Sequence, residues 1–423
     1  MTRAGALYAF LDDLVEEGIG QTLARIADLG VRGVAVAATY HTAKDVLPHR
    51  PDRRVVYREG GLHYFSPDFD RYPAGLRPKA SWLSDGSADP FTEARSAAAQ
   101  RGLEFHAWAV FLHNSRLAGL RPDCAVRNAF GDVSRTDLCP ASDEVADYAV
   151  ALASDLARHR PDTVIAESLH YPGAEHGYHH ERRFAPLLAV AGQLLGLCFC
   201  GACLAAARDD GVDAQAVAAL ARDEVDRSLA GDADPRVKEA TWTAVAALGS
   251  EDLLGYLRMR QRIVTDLIGE IAGALRAGGS RLVFMDQVGA AKGYATGAPT
   301  GEPAASLAWQ LGVDVAQIAR LSDEYAALLY ARDPGRVGME AGAYQRALGG
   351  SAPLRAVLRP MAPDSDGAGN LAAKLAVLAA ADVATVDFYH YGLAPMAAVE
   401  AIGQAVAGHL PERGGEAADG AAP

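Results

Sequence analysis

Apolar runs alternate with amphipathic segments along most of this chain, and the two periods predict strands and helices in turn. The run "ALYAFLD" (6–12) reads as a buried strand, and "EEGIGQTLARIADLG" after it carries a helical pattern that stops at Gly30. "VAVAATYH" (34–41) is a second strand. The proline-dotted stretch over 42–90 reads as an elaborated loop, with a small hairpin at "RVVYREGGLHYF". Helix "PFTEARSAAAQRG" leads into a third strand, "LEFHAWAVFLHNS" (103–115). A helix over 141–159, with Ser142 as N-cap and Glu144 and Asp147 in its first turns, precedes the fourth, "TVIAESLHYP".

A long Ala- and Leu-rich helical stretch separates that strand from "RLVFMDQ" (281–287). Three more follow: "EYAALLYA" (324–331), "PLRAVLRP" (353–360) and "VATVDFYHYG" (383–392). Helices "ASLAWQLGVDVAQIARLS" and "NLAAKLAVLAAAD" lie among them. Eight strands alternating with helices predict an α/β fold, a (β/α)₈ TIM barrel with right-handed crossovers. The rival, a doubly wound sheet, lacks a glycine-rich phosphate turn after its first strand. The expected organisation is one catalytic domain over 1–410, with a helical insertion over 184–255 after strand four and a disordered tail over 411–423.

Composition narrows the function. Half of the 423 residues are hydrophobic, and a mean hydropathy of +0.01 fits a soluble globular chain. A net charge of −13 argues against nucleic acid, whose phosphates need a basic footprint. No apolar run approaches the ~18 residues of a membrane span, and "MTRAGALYAFLDD" lacks the pattern of a secretory signal. The expectation is a cytoplasmic protein with no membrane partner. Five cysteines make a poor disulfide framework, and three crowd into "CFCGAC" with metal-like spacing.

In a barrel the working face is the carboxyl end of the strands. Strand one ends in Asp12 and Asp13, strand two in Tyr40 and His41. Strand three carries His106 and Trp108 on one face, then His113 and Asn114. Strand four gives Glu167, His170 and Tyr171; strand five gives Asp286 and Gln287, and strand six Tyr330. Strand seven ends in Arg359, and strand eight in Asp387, Tyr389, His390 and Tyr391. Acids, aromatics, histidines and one arginine are the lining of a carbohydrate pocket.

The strand order, the acid closing strand four and the Cys-x-Cys-x-x-Cys beyond it resemble glycoside hydrolase barrels, the family 42 β-galactosidases above all. "VDFYHYGL" is similar to the last strand of related uncharacterised glycosidases. The resemblance implies Glu167 as acid/base and a structural zinc on Cys198, Cys200 and Cys203, with Cys124 or Cys139 as fourth ligand. It stops there. Asn-Glu in that family is Ala166-Glu167 here, and Arg359-Pro360-Met361 stands where the family's nucleophilic glutamate closes strand seven.

A glycosidase needs a second carboxylate, for which Asp286, then Asp387 and Asp12, are the candidates. Each of these acids has a bland alternative, as an acceptor for loop N–H groups or an ion-pair partner. The histidines His170, His176, His179 and His180 match no standard metal spacing; they bind substrate hydroxyls or brace their loop. Tyr40, His41, His106, Trp108, His113, Asn114, Tyr171, Tyr389 and His390 complete the expected sugar-binding set, with Arg359 as a clamp for an acidic substituent. Trp82 and Tyr391 are further stacking candidates, Trp242 and Trp309 read as core, and Lys292 reads as incidental to a Gly-rich lid. The cysteines have their own alternative, as free thiols in an apolar helix. The leading expectation is a glycoside hydrolase-like enzyme acting on a small carbohydrate, with no organic cofactor. Two others stand beside it: a metal-dependent barrel enzyme using Asp12, His106, Glu167 and Asp286, and a non-catalytic glycan-binding barrel.

Overall fold

Eight parallel strands form a closed barrel: β1 (Arg3–Ala9), β2 (Gly33–Tyr40), β3 (Glu104–Val110), β4 (Thr163–Glu167), β5 (Arg281–Asp286), β6 (Glu324–Leu328), β7 (Leu354–Leu358) and β8 (Thr385–Phe388). Each pairs in parallel with its neighbours, and β1 closes the circle by pairing with both β2 and β8. This computed structural model describes residues 2–50, 52–84, 89–173, 178, 181–182, 184–185, 187–232 and 238–409. The strands are buried on both faces, by side chains inside the barrel and by helices outside, which is why they read as continuous apolar runs.

The lower barrel is charged. Arg355 on β7 bridges Glu324 on β6 and Asp387 on β8, each at 3.1 Å. Asp387 also accepts the Ala6 N–H at 2.7 Å, where the register between β1 and β8 slips. A side chain at Gly5 has no room there, since its Cβ would stand 2.0 Å from Asp387 Oδ1.

Several local expectations change. The first strand ends at Ala9, and Leu11–Glu17 is a helix whose Asp13 carboxylate accepts the Phe10 N–H at 3.0 Å. Asp12 and Asp13 are therefore helical residues, not strand-end ones. Gly18, with φ of 88°, separates this helix from Ile19–Asp28 and breaks the single helix expected there. The run 54–65 does not pair with itself. Its first half, Val55–Arg58, pairs with Ala43–Val46, while Leu62–His63 turns at Gly61 to lie antiparallel on β2. The expected helix after strand five divides at Gly312, φ 77°, into Ala304–Leu311 and Val315–Leu321. Ser142 does occupy the N-cap of Asp143–Arg158, without a side-chain cap bond.

Among the described residues between β4 and β5 stand five helices, Ala189–Leu195, Gly201–Asp209, Ala214–Ala230, Trp242–Ala246 and Glu251–Ala277. The last packs on Asp143–Arg158. Trp242 and Trp309 meet edge to face at 5.2 Å, as core residues do. The tail from residue 411 lies outside the described residues. No helix among the described residues is long and apolar enough to cross a membrane.

Candidate functional site

Alternation along the strands decides which polar residues reach the mouth. On β4, Thr163 and Glu167 share the interior face, and Thr163 Oγ1 bonds His106 Nδ1 at 2.5 Å. On β5, Phe284 and Asp286 face outward: Phe284 touches Tyr325, which in turn touches Tyr344 on helix Pro334–Leu348. The next residue, Gln287, therefore turns inward, and its amide donates to Glu167 Oε1 at 2.7 Å.

Glu167 is buried, 8% exposed. Its second oxygen accepts the indole N–H of Trp108, and Ser168 holds Gln287 in place at 2.9 Å. Burial pushes the Glu167 carboxyl up to about 7, against the pull of the Trp108 bond, the His113 charge and the Gln287 amide. It is thus half protonated near neutrality, the state a proton donor needs.

Aromatic rings wall this carboxyl. Trp108 packs edge-on to Tyr8 at 5.2 Å, Tyr40 at 5.0 Å and Tyr389 at 5.7 Å. Phe10 lies between Tyr40 and His390, at 4.8 and 4.1 Å. The Tyr40 and Tyr389 hydroxyls meet at 3.2 Å, and burial keeps both phenols neutral. His41 stacks on Tyr40 at 4.1 Å.

The other acids are engaged elsewhere. Asp286 is wholly buried and accepts from Tyr325 at 2.7 Å and the Val288 N–H at 2.9 Å. Asp387 belongs to the Arg355 bridge below. Asp12 pairs with Arg58 at 2.9 Å. Burial and the Asp12 charge push Asp13 up to about 8, against Arg58. Expected as partners for Glu167, Asp286, Asp387 and Asp12 are thus placed by the fold in other bonds.

Arg359, expected as a clamp for acidic sugars, is already held by Asp364 at 2.6 and 2.9 Å. Its guanidinium lies over Tyr330 at 4.4 Å. His106 sits four residues below Glu167 along the paired strands, about 13 Å from the mouth. With His106 deep, Asp286 outward and Asp12 on Arg58, the alternative metal set does not converge. Asn114 caps helix Ser115–Leu120 through the Leu117 N–H, at 3.0 Å. Lys292 reaches Glu239 at 2.5 Å. Tyr391 bonds Glu17 at 2.7 Å, and Trp82 stands 62% exposed. His176, His179 and His180 lie outside the described residues.

Two histidines stand on the segments that follow β3 and β4. His170 bonds the Tyr171 carbonyl through Nδ1 at 2.8 Å, while its buried Nε2 has no partner among the described residues. His113 bonds Asp137 through Nδ1 at 2.8 Å.

The cysteines gather below the fourth loop. Cys139, Cys198, Cys200 and Cys203 are buried with all four sulfurs within 4.8 Å of one another. Cys139 stands 3.5, 3.7 and 3.5 Å from Cys203, Cys198 and Cys200. Four thiolates around one ion, each at about 2.3 Å, stand about 3.8 Å apart in a tetrahedron, so the cluster fits such an ion. Cys139, and not Cys124, is the fourth member; the Cys124 sulfur lies 3.9 Å from Glu144 instead. Tyr171, expected at the sugar, bonds Cys203 at 3.5 Å beneath the Arg260 guanidinium.

Tyr8, Phe10 and Asp137 were not among the expected site residues, and Gln287 was expected at the end of strand five without a role. Tyr8 and Phe10 are hidden in an apolar run, whereas Gln287 follows from strict alternation beyond Asp286.

The site is therefore that of a (β/α)₈ barrel with a buried acid, Glu167, in an aromatic mouth. Among solved structures, the chain is similar to α-L-fucosidase isoenzyme 2 from Paenibacillus thiaminolyticus: TM-score 0.53 and 12% identity over 96% of this chain and 49% of that one. It is also similar to the β-galactosidase of the psychrophilic Marinomonas ef1, with TM-score 0.54 and 13% identity over 95% of this chain and 59% of that one. The chain thus spans half to three fifths of the length of these enzymes, and the likeness is one of fold. No family model matches the chain, and neither does any curated protein.

Proposed function

We propose that this protein is a glycoside hydrolase-like enzyme in which Glu167 protonates the leaving oxygen of a small carbohydrate substrate. The observation that carries the reading is the carboxyl itself: buried in an aromatic mouth, oriented by Trp108 and Gln287, and held at about 7. Aromatic faces suit the C–H surfaces of a sugar, and the two named neighbours fix which carboxyl lone pairs face it. Two solved structures of similar fold are a fucosidase and a β-galactosidase by their names, which agrees with a carbohydrate substrate.

Cys139, Cys198, Cys200 and Cys203 would hold a structural zinc. Their spacing fits a closed tetrahedral site, and bound zinc would tie Cys139, at the end of the hairpin of Ala125–Arg127 and Val133–Leu138, to the insertion bearing the other three.

The test is hydrolysis of a set of para-nitrophenyl and alkyl glycosides by the wild type and Glu167→Gln. The substitution should lower turnover of alkyl glycosides by about 10²–10⁴-fold, and of nitrophenyl glycosides far less, since their leaving group needs little protonation. Saturable glycan binding without turnover would favour the non-catalytic barrel instead.

A further inference from the structure

Among the described residues, Glu167 is the acid in the aromatic mouth, and glycoside hydrolysis calls for a second catalytic group. Asp12, Asp286, Asp364 and Asp387 are each engaged by a cation or by buried donors. One further pair at the mouth has the form of a proton acceptor with its orienting group. His113 follows β3 directly, and its Nδ1 lies 2.8 Å from Asp137 Oδ1.

The backbone builds this pair rigidly. Residues 112–114 run beside Val133–Leu138, with Leu138 N–H to the Leu112 carbonyl at 3.0 Å and Asn114 N–H to the Thr136 carbonyl at 2.7 Å. His113 and Asp137 stand opposite each other in that ladder. Asp137 is also held by the Thr136 hydroxyl at 2.6 Å and the Ser134 hydroxyl at 3.0 Å. Both hydroxyls bond Oδ2, which fixes the carboxylate and aims Oδ1 at the imidazole.

On its other side the segment bearing His113 runs beside the strand end that bears the acid, and the His113 charge acts on Glu167. The same segment lies against the end of β4, through Phe111 N–H to the Glu167 carbonyl at 2.9 Å and Leu112 N–H to the Ser168 carbonyl at 3.1 Å. The His113 ring meets His41 edge-on at 5.4 Å, and His41 stacks on Tyr40 of the aromatic wall. The His113 side chain is 21% exposed and its carboxylate partner 12%. A buried carboxylate fixing the tautomer of a more open imidazole is the arrangement that makes a histidine a directed base.

We propose that His113, positioned by Asp137, is the second catalytic group of this site and the base that activates water. The assignment rests on the glycosidase reading of Glu167. Glu167 gives its proton to the glycosidic oxygen as the bond from that oxygen to the anomeric carbon breaks. His113 acts in its neutral form, present once pH rises above a pKa that burial lowers but the Asp137 bond and charge raise on balance. Water forms the new carbon–oxygen bond and passes its proton to the Nε2 of that neutral ring. Asp137 stabilises the resulting imidazolium; solvent then takes that proton and returns one to Glu167. One water is consumed, no covalent intermediate forms, and the anomeric configuration inverts.

The experiment uses the para-nitrophenyl glycoside that the wild type cleaves fastest. His113→Ala should lower kcat by about a hundredfold or more with KM little changed. Azide, a nucleophile that needs no base, should restore turnover in His113→Ala and yield a glycosyl azide of inverted configuration. Asp137→Asn should give a smaller fall of the same kind. Proton NMR of the wild-type reaction should show the inverted anomer first. His113→Gln, with circular dichroism on each variant, separates loss of the base from loss of fold.

A His113→Ala kcat within about threefold of wild type would overturn the proposal, being far below a base's contribution. So would a rise in KM alone, or a first product of retained configuration. A wild type that cleaves no glycoside would overturn the reading of Glu167 and this assignment with it. That outcome is distinct from a wild type and a His113→Ala that are both active.

Discussion

Gln287 meets Glu167 at 2.7 Å because alternation along β5 sends the amide inward and the neighbouring Asp286 outward. A neutral partner lets burial alone raise the Glu167 carboxyl to about 7. Gln287→Glu would place a second carboxyl there, and two carboxyls sharing a site cannot both ionise at their usual pH. Turnover that needs protonated Glu167 is lost as pH rises through about 7 in the wild type. In Gln287→Glu the alkaline limb of kcat/KM should move up by about one unit or more. A limb that stays or moves down would mean that the carboxyl pair is not formed.

Asp286 gives the converse case. It accepts two buried donors, from Tyr325 and Val288, on the side facing the helices. Asp286→Asn should therefore cost about 1–3 kcal/mol of stability while leaving kcat near wild type. Urea unfolding and steady-state kinetics on the same preparation check both halves. A folded variant with lost turnover would place Asp286 at the chemistry after all.

The contrast explains what the sequence could and could not tell. Strand runs such as "VAVAATYH" and "RLVFMDQ" are legible because a doubly buried strand must be apolar throughout, and Glu167 stands out as an acid ending one of them. The facing of an end residue depends on where the strand stops and which way its last peptide turns. The difference between Asp286 and Gln287 is one residue, and that between Asp12 as strand end and as helix is the Asp13 cap on Phe10. Pairings between distant segments, such as His113 with Asp137 or Cys139 with the CxCxxC run, need the folded hairpin to bring them together. Cys124 and Cys139 are equivalent on spacing; only the chain's path separates them.

Arg355 neutralises Glu324 and Asp387 within the barrel, all three being buried. Arg355→Met would leave two carboxylates without their cation and should cost about 3–5 kcal/mol. Adding Glu324→Gln and Asp387→Asn to it should recover part of that loss. Equilibrium denaturation of the single and triple variants measures both. A single variant as stable as wild type would show that the bridge is not what holds these charges.

Asp13 sets a pH dependence of stability. Its carboxyl, about 3.9 in an unfolded chain, is pushed up to about 8 by burial and the Asp12 charge. Between those values the folded state holds a proton that the unfolded state has released. Its contribution is therefore whole below about pH 4 and lost as pH rises through about 8. Unfolding free energy measured across about pH 5 to pH 9 should fall, and Asp13→Asn should flatten that slope. An unchanged slope would assign it to other groups.

Cys139 and Cys124 offer the sharpest separation, because they stand side by side at the open end of one hairpin, Cys139 N–H to the Cys124 carbonyl at 2.9 Å, and differ in where their sulfurs point. Cys139 joins the four-sulfur cluster, whereas the Cys124 sulfur faces Asp123 and Glu144. If the cluster holds zinc, Cys139→Ser removes one of four ligands, while Cys124→Ser removes none. Purified wild type should carry about one zinc per chain, the content of a closed four-thiolate site. Cys124→Ser should keep that zinc, and Cys139→Ser should lose most of it and melt several degrees lower. Because metal affinity of a closed site is also folding energy, a chelator should bring the wild type toward the Cys139→Ser midpoint and leave that variant unchanged. Equal zinc in both variants would remove Cys139 from the ligand set. A zinc-free wild type that four thiol-specific labels enter only on unfolding would make the cluster a packed group of free thiols.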